Sequence, residues 1–172
     1  MSLLDIDDGT YPYVTSSSPS IGGASTGLGI PPQAIAGVIG IFKAYSTRVG
    51  AGPLVPELND ETGNAIRERA WEYGVNTGRP RRCGWFDAVA GRYSATINGF
   101  TSVVLTRLDV LDGLSEIKVC KEYRNSDSVI SDFPSNVVAL EQCEPVYETL
   151  PGWNQPTAGV TRFDDLPVAA QD

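Results

Sequence analysis

Histidine is absent from this 172-residue chain. Its absence removes Ser-His and Cys-His nucleophile pairs and His-rich metal sites. Acid–base chemistry carried by these residues alone would fall to carboxylates, lysines, tyrosines or cysteines. Cysteine is sparse: Cys83, Cys120 and Cys143 are odd in number and lack C-x-x-C spacing. That argues against a disulfide framework or a zinc site and for reduced thiols. Positive charge is scarce too, 13 Lys and Arg against 21 Asp and Glu, and the net charge of −8 opposes nucleic acid or an anionic membrane as a bulk partner. The longest apolar run, Ala34 to Phe42, falls far short of the ~20 residues a bilayer span takes. No basic-apolar leader opens the chain. The expectation is a soluble, cytoplasmic protein of one domain, or one substantial piece of a larger one.

The cations that do occur are gathered. Seven of the 13 lie between Arg67 and Arg107, so a local cationic cleft can sit inside an acidic shell. Arg79, Arg81 and Arg82 place three guanidiniums within four positions of a Gly- and Pro-punctuated loop, residues 74–84. Guanidinium forks grip carboxylate and phosphate through paired hydrogen bonds, so this loop reads as an anion grip, with a plain solvated loop as the alternative. Pro80 holds the backbone extended, so neighbouring guanidiniums need not point the same way.

The pattern of elements is α/β. Leu3 to Asp7 reads as a short strand, and Ser/Gly/Thr-rich residues 15–29 as a flexible loop. The apolar stretch Ala34 to Phe42 reads as a buried helix and Lys43 to Val49 as a strand. Asn59 or Asp60 can cap a helix that runs to Tyr73 and stops at Gly74. Phe86, Val89, Ala90, Tyr93 and Ile97 recur at helical spacing, ended by Asn98-Gly99. Ser102 to Leu108 suits a buried strand of a parallel sheet. Glu116 to Tyr123 and Val146 to Leu150 read as further strands, separated by a polar stretch from Asn125 to Asn136, and Asp164 to Pro167 as a helix start. Ligands of such folds collect at the carboxyl ends of strands and at the helix N-termini that follow.

Three smaller constellations stand beside the Arg loop. Asp109, in Thr106-Arg107-Leu108-Asp109, could accept two hydrogen bonds from a guanine edge, with Arg107 stacked on the base. Alternatively, Asp109 and Asp112 simply cap a turn. The hydroxyls of Thr15 to Ser18 suit a phosphate or an ordinary linker, and the Gly-rich run holds no G-x-x-x-x-G-K-S/T phosphate loop. The three carboxylates of Leu3 to Asp8 invite a metal reading, against an exposed acidic strand end.

Five segments together resemble adenylosuccinate synthetase: LLDIDDGTYPYVTSS, KAYSTRVGAGP, TGRPRRCGWFDAVA, TRLDVLDGLSEIKVC and PVYETLPGW. They follow the family's order over nearly the whole chain. The resemblance implies a mainly parallel-sheet, P-loop-GTPase-like nucleotide-binding domain. It implies a cytoplasmic, Mg2+-dependent, homodimeric ligase that joins IMP and L-aspartate at the cost of GTP in de novo and salvage AMP synthesis. By position, Thr15, Val49 and Arg79 resemble IMP contacts. Val75, Asn76, Thr77, Gly78, Arg79, Pro80 and Arg81 resemble the aspartate loop, and Arg81, Arg107, Leu108 and Asp109 the GTP contacts. The family's catalytic Asp and His, its glycine-rich phosphate loop and its Mg2+ ligands match nothing here. The resemblance therefore implies a middle-to-C-terminal portion, residues 1–172 as one partial domain, without the N-terminal half and the extreme C-terminus. Such a portion is expected to be inactive alone. A non-catalytic nucleotide- or anion-binding remnant is the alternative. Departures from the family pattern are Arg107 for a usual Lys, Asn76 for a usual Thr, and Asp8 for a common His.

Overall fold

Residues 2–20 form no strand. A computed structural model describes residues 2–126, 128–134 and 136–172, and shows a 3-10 turn at Ser2–Leu4 followed by tight turns. The expected strand fails because the fully buried carboxylate of Asp5 captures backbone donors. It accepts from the N–H of Asp7 at 2.9 Å, Asp8 at 3.2 Å and Ser20 at 3.0 Å. An Asp bonded to the backbone two residues on turns the chain instead of extending it. These bonds outweigh burial and hold the Asp5 carboxyl below its ordinary range.

The Ser/Gly-rich segment also departs from expectation, because residues 15–29 contain a helix, α1 (Ile21–Leu28), capped by Gly29 at φ 65°. Its residues are poor helix formers. A tertiary bond holds its start, the Ile21 N–H donating to Asn98 Oδ1 at 2.8 Å. The apolar stretch read as a helix instead yields a 3-10 turn at Pro32–Ala34 and a strand, β1 (Ile39–Lys43). Gly40 explains the close packing there, since a Cβ would lie 2.6 Å from the Phe100 ring.

Strand β2 (Ser46–Arg48) precedes helix α2 (Glu61–Ala70), whose N-cap is Asp60, accepting from the Gly63 N–H at 2.9 Å. The helix stops earlier than Gly74 because Trp71 turns left-handed at φ 53°, and its N–H closes on Arg67 and Glu68. That turn drives Glu72 inward. The chain then returns through β3 (Arg82–Gly84), antiparallel to β2, so the loop proper ends at Arg81 rather than at residue 84. After β4 (Phe86–Asp87) comes α3 (Ala88–Asn98), capped by the Asp87 carboxylate at one end and by Gly99 at the other.

The remaining elements are β5 (Ser102–Thr106), β6 (Glu116–Asn125), β7 (Ser128–Ile130), α4 (Val137–Glu141), β8 (Glu144–Pro151) and α5 (Val168–Gln171). The α/β class expected from the sequence is observed, with mixed as well as parallel pairing. β1 and β5 pair in parallel, Ile39 opposite Ser102 through Lys43 opposite Thr106. β6 is parallel to β4 and antiparallel to β7 and β8. Residues 127 and 135, within the polar stretch between Asn125 and Asn136, lie outside the described residues.

One core gathers Tyr45, Ile66, Cys83, Trp85, Val110 and Leu111, and a second gathers Val89, Cys120, Tyr123 and Leu140. The β1–β5 pair is not part of either. β5 was expected to be buried, yet Val103, Val104 and Leu105 are about half exposed, and Ile41 is 72% exposed. Two strands without further neighbours cannot bury both faces. Among the described residues, no helix is long and apolar enough to cross a membrane.

Candidate functional site at the strand ends

Parallel pairing brings the carboxyl ends of β1 and β5 to one place. Lys43 and Thr106 are register partners, and the Ala44 N–H donates to the Thr106 carbonyl at 2.8 Å. Lys43 and Tyr45 on one strand end therefore lie beside Arg107 on the other. Arg107 sits at φ 61° and donates from Nη1 to the Ala70 carbonyl at 3.2 Å, tying that end to the C-terminus of α2.

Glu72 stands at the centre of this convergence, only 2% exposed. Its Oε1 accepts from Lys43 Nζ at 2.6 Å and from the Tyr45 hydroxyl at 2.7 Å, and its Oε2 accepts from Arg81 Nη1 at 2.6 Å. Lys43 Nζ also donates to Thr47 Oγ1 at 3.0 Å. Burial opposes ionisation of Glu72, but the bonds from Lys43, Tyr45 and Arg81 prevail and hold its carboxyl below the usual glutamate range. Burial and the Glu72 charge push the Tyr45 phenol up, so it stays a donor. The sequence reading did not single out Lys43, Tyr45 or Glu72. With Ala34 to Phe42 taken as a helix, the strand end that positions Lys43 was invisible.

The three arginines of the loop have three different fates. Arg82 donates to both oxygens of Glu57, at 2.7 and 2.5 Å, and to the carbonyls of Gly50 and Gly52. It is a structural clamp. Arg81 is held by Glu72, its own carbonyl accepts from Arg67 Nε at 2.7 Å, and its Nε is buried without a hydrogen-bond partner. The guanidinium of Arg79 makes no hydrogen bond or ion pair among the described residues. Arg79 lies on an exposed tip, residues 75–80, above the bridge between Tyr73 and Pro80. Within that tip Val75 is 95% exposed, Thr77 Oγ1 accepts from the Arg79 N–H at 3.3 Å, and Gly78 adopts φ 63°.

The two aspartates after β5 are likewise separated. Asp112 accepts from Trp153 Nε1 at 2.6 Å and from the Thr157 N–H and hydroxyl at 2.8 and 2.9 Å. Asp109 differs: its side chain is 47% exposed, and among the described residues its one ion-pair contact is Arg107 Nε, at 3.8 Å. Leu108, between them, is half-buried. The turn-capping alternative thus describes Asp112 and leaves the Asp109 carboxylate free to meet a ligand.

A cavity of about 430 Å3 opens beside the convergence, with Lys43, Thr47, Val49, Arg81 and Phe86 in its wall. Val49 and Arg81 therefore share one cavity, while Thr15, Arg79, Arg107 and Asp109 lie outside its wall. Thr15 is exposed, and its hydroxyl faces the Leu4 carbonyl at 3.0 Å and Ser17 Oγ at 2.7 Å.

The family model described as adenylosuccinate synthetase matches residues 1–172. Adenylosuccinate synthetase of Thermomicrobium roseum is 57% identical over 170 residues, covering 99% of this chain and 39% of that protein. That of Clostridioides difficile is 55% identical, with 99% and 40% covered. A solved structure of fully ligated adenylosuccinate synthetase from Plasmodium falciparum superposes with a TM-score of 0.94 at 44% identity, covering 99% of this chain and 41% of that one. The chain spans about two fifths of the length of the curated relatives it matches.

Proposed function

The chain belongs to the adenylosuccinate synthetase family, and we propose that it serves that family's reaction, the GTP-dependent ligation of IMP and L-aspartate to adenylosuccinate. In this reaction the γ-phosphoryl group of GTP passes to the 6-oxygen of IMP, leaving GDP. The aspartate amine then attacks carbon 6, and phosphate departs with the oxygen. Arg79 and the loop from Val75 to Arg81 take the carboxylates of aspartate, with Arg79 also reaching IMP and Arg81 also reaching GTP. Thr15 takes the IMP phosphate and Val49 borders its ribose. Asp109 reads the guanine edge, while Arg107 and Leu108 flank the base. The protein works in the cytoplasm as a homodimer.

One observation carries this reading. The fold occupies Arg82 and Asp112 in structural bonds and leaves their motif neighbours Arg79 and Asp109 without a strong protein partner. An unpaired guanidinium on one loop and a loosely paired carboxylate on another suit an anionic substrate and a base with two donors.

The Mg2+ that the family implies does not fit the residues described here. The oxygens of Asp5 accept backbone N–H groups, those of Glu72 are taken by two cations and a phenol, and among the described residues no three His, Cys, Asp or Glu side chains converge. No catalytic residue is assigned within this chain, and by itself it is expected to turn nothing over. The test is adenylosuccinate formation by the protein that carries this sequence, with GTP, IMP and aspartate omitted one at a time. Product that requires all three supports the ligase. GTP or IMP binding without product would favour the non-catalytic remnant.

A further inference from the structure

We propose that Glu72 is a positioning residue for the Arg loop, fixing Arg81 in the wall of the cavity it shares with Val49. The inference rests on the ligase reading for the identity of the ligands, but not for its geometry. Three contacts converge on this one residue. The Glu72 carbonyl accepts from the Arg81 N–H at 2.8 Å, its Oε2 accepts from Arg81 Nη1 at 2.6 Å, and its own N–H donates to the Arg67 carbonyl at 2.9 Å. Both the backbone and the head of Arg81 are therefore set by Glu72, which is itself anchored to the end of α2.

The left-handed turn at Trp71 explains why the carboxylate points inward. Lys43 and Tyr45 bond Oε1, so Oε2 remains for Arg81. Held in this way, Arg81 contributes to the cavity wall while its Nε is shielded without a partner. A buried donor without a partner is costly to maintain, so the Glu72 bonds that hold Arg81 also offset the cost of shielding its Nε. Lys43 plays a second part. Its charge offsets that of Glu72, so the Arg81 charge is not cancelled where the anion arrives.

The direct test is solvent exchange of the arginine Nε–H signals, followed by NMR on the 172-residue chain. In Glu72→Gln, exchange at Arg81 Nε should quicken at least tenfold. Exchange at Arg82 and Arg48, held by Glu57 and by the Ala51 carbonyl, should change less than twofold. Glu72→Asp keeps the charge and withdraws the oxygens by one methylene, and it gives the same reading should Glu72→Gln fail to fold. An unchanged Arg81 signal, or equal quickening at all three arginines, overturns the proposal.

Steady-state kinetics of the active enzyme bearing this sequence supply the functional arm. Glu72→Gln should raise KM for aspartate and GTP at least tenfold and KM for IMP less than twofold, and should add nothing in an Arg81→Gln background. Equal losses for all three substrates, or additive losses with Arg81→Gln, would reduce Glu72 to a structural residue. Failure of the parent enzyme to ligate would sink the ligase reading alone, because the exchange measurement needs no turnover.

Discussion

Neighbouring arginines in one short motif carry opposite expectations. In the active enzyme bearing this sequence, and on the proposed ligase reading, Arg79→Leu should leave the melting temperature unchanged and lower kcat/KM for aspartate and IMP by one to two orders of magnitude, since each charge-assisted contact is worth about 1.5–3 kcal/mol. Arg82→Leu should do the reverse. Arg82 resembles no ligand position of the family, which implies that it tolerates substitution, but its paired bonds to Glu57 and its bonds to the Gly50 and Gly52 carbonyls make it a stability residue. Its loss should cost about 1–3 kcal/mol in denaturant unfolding. Asp109→Asn places an amide donor against the donors of guanine and should weaken GTP by about 2–4 kcal/mol. Xanthosine triphosphate, with a carbonyl at position 2, should partly recover activity in that variant. If kcat/KM for the two nucleotides shows the wild-type preference for GTP, Asp109 is only a turn residue. The sequence offered Arg79 and Arg81 as an anion grip through their residue types, whereas at Asp109 turn capping stayed open and the guanine role comes from the resemblance. Glu72 stayed hidden, since a glutamate near a helix end looks like solvated surface until the turn at Trp71 is known.

Among the elements, those stabilised by local signals were readable. The helices α2 and α3 carry an apolar face of 3.6-residue period, with Asp60 as a readable cap of the first and Gly99 as a readable terminator of the second, whereas the left-handed Trp71 that ends α2 has no such signal. Asp60→Ala should accordingly cost about 1 kcal/mol, seen as a fall of ~2–4 °C in Tm, by leaving the Gly63 N–H without its acceptor. A shift of under half a degree would show that α2 is held by its packing alone. Elements fixed by distant partners were misread. The run Ala34 to Phe42 has a length and an apolar content that fit helix or strand equally, and its strand half is settled by β5, about sixty residues later in the chain. The helix α1 depends on Asn98, and the N-terminal turns depend on Asp5 reaching Ser20. Neither dependence has a signature in the local sequence.

For the molecule as a whole, the mismatch between its two sheets matters most. β6 is paired along both sides and covers a core of Val89, Cys120 and Tyr123, whereas among the described residues β1 and β5 pair only with each other and expose Ile39, Ile41, Val103, Val104 and Leu105. Open strand edges with apolar faces recruit further strands. The 172-residue chain should therefore self-associate, with a light-scattering mass that rises with concentration. A constant monomer mass across a hundredfold dilution would contradict this. The same asymmetry also has a temporal side. The amides of β1 and β5 are protected by a single ladder that water can reach from both faces, so this pair should open without the rest of the protein unfolding. In deuterium, the backbone amides of Phe42 and Val104 should exchange through such local opening, at rates insensitive to low denaturant. The amides of Cys120 and Tyr123 should wait for global unfolding. The strands that bring Lys43 and Arg107 together are thus the part of the framework that comes apart first, and whatever closes over them sets how long the site lasts between openings.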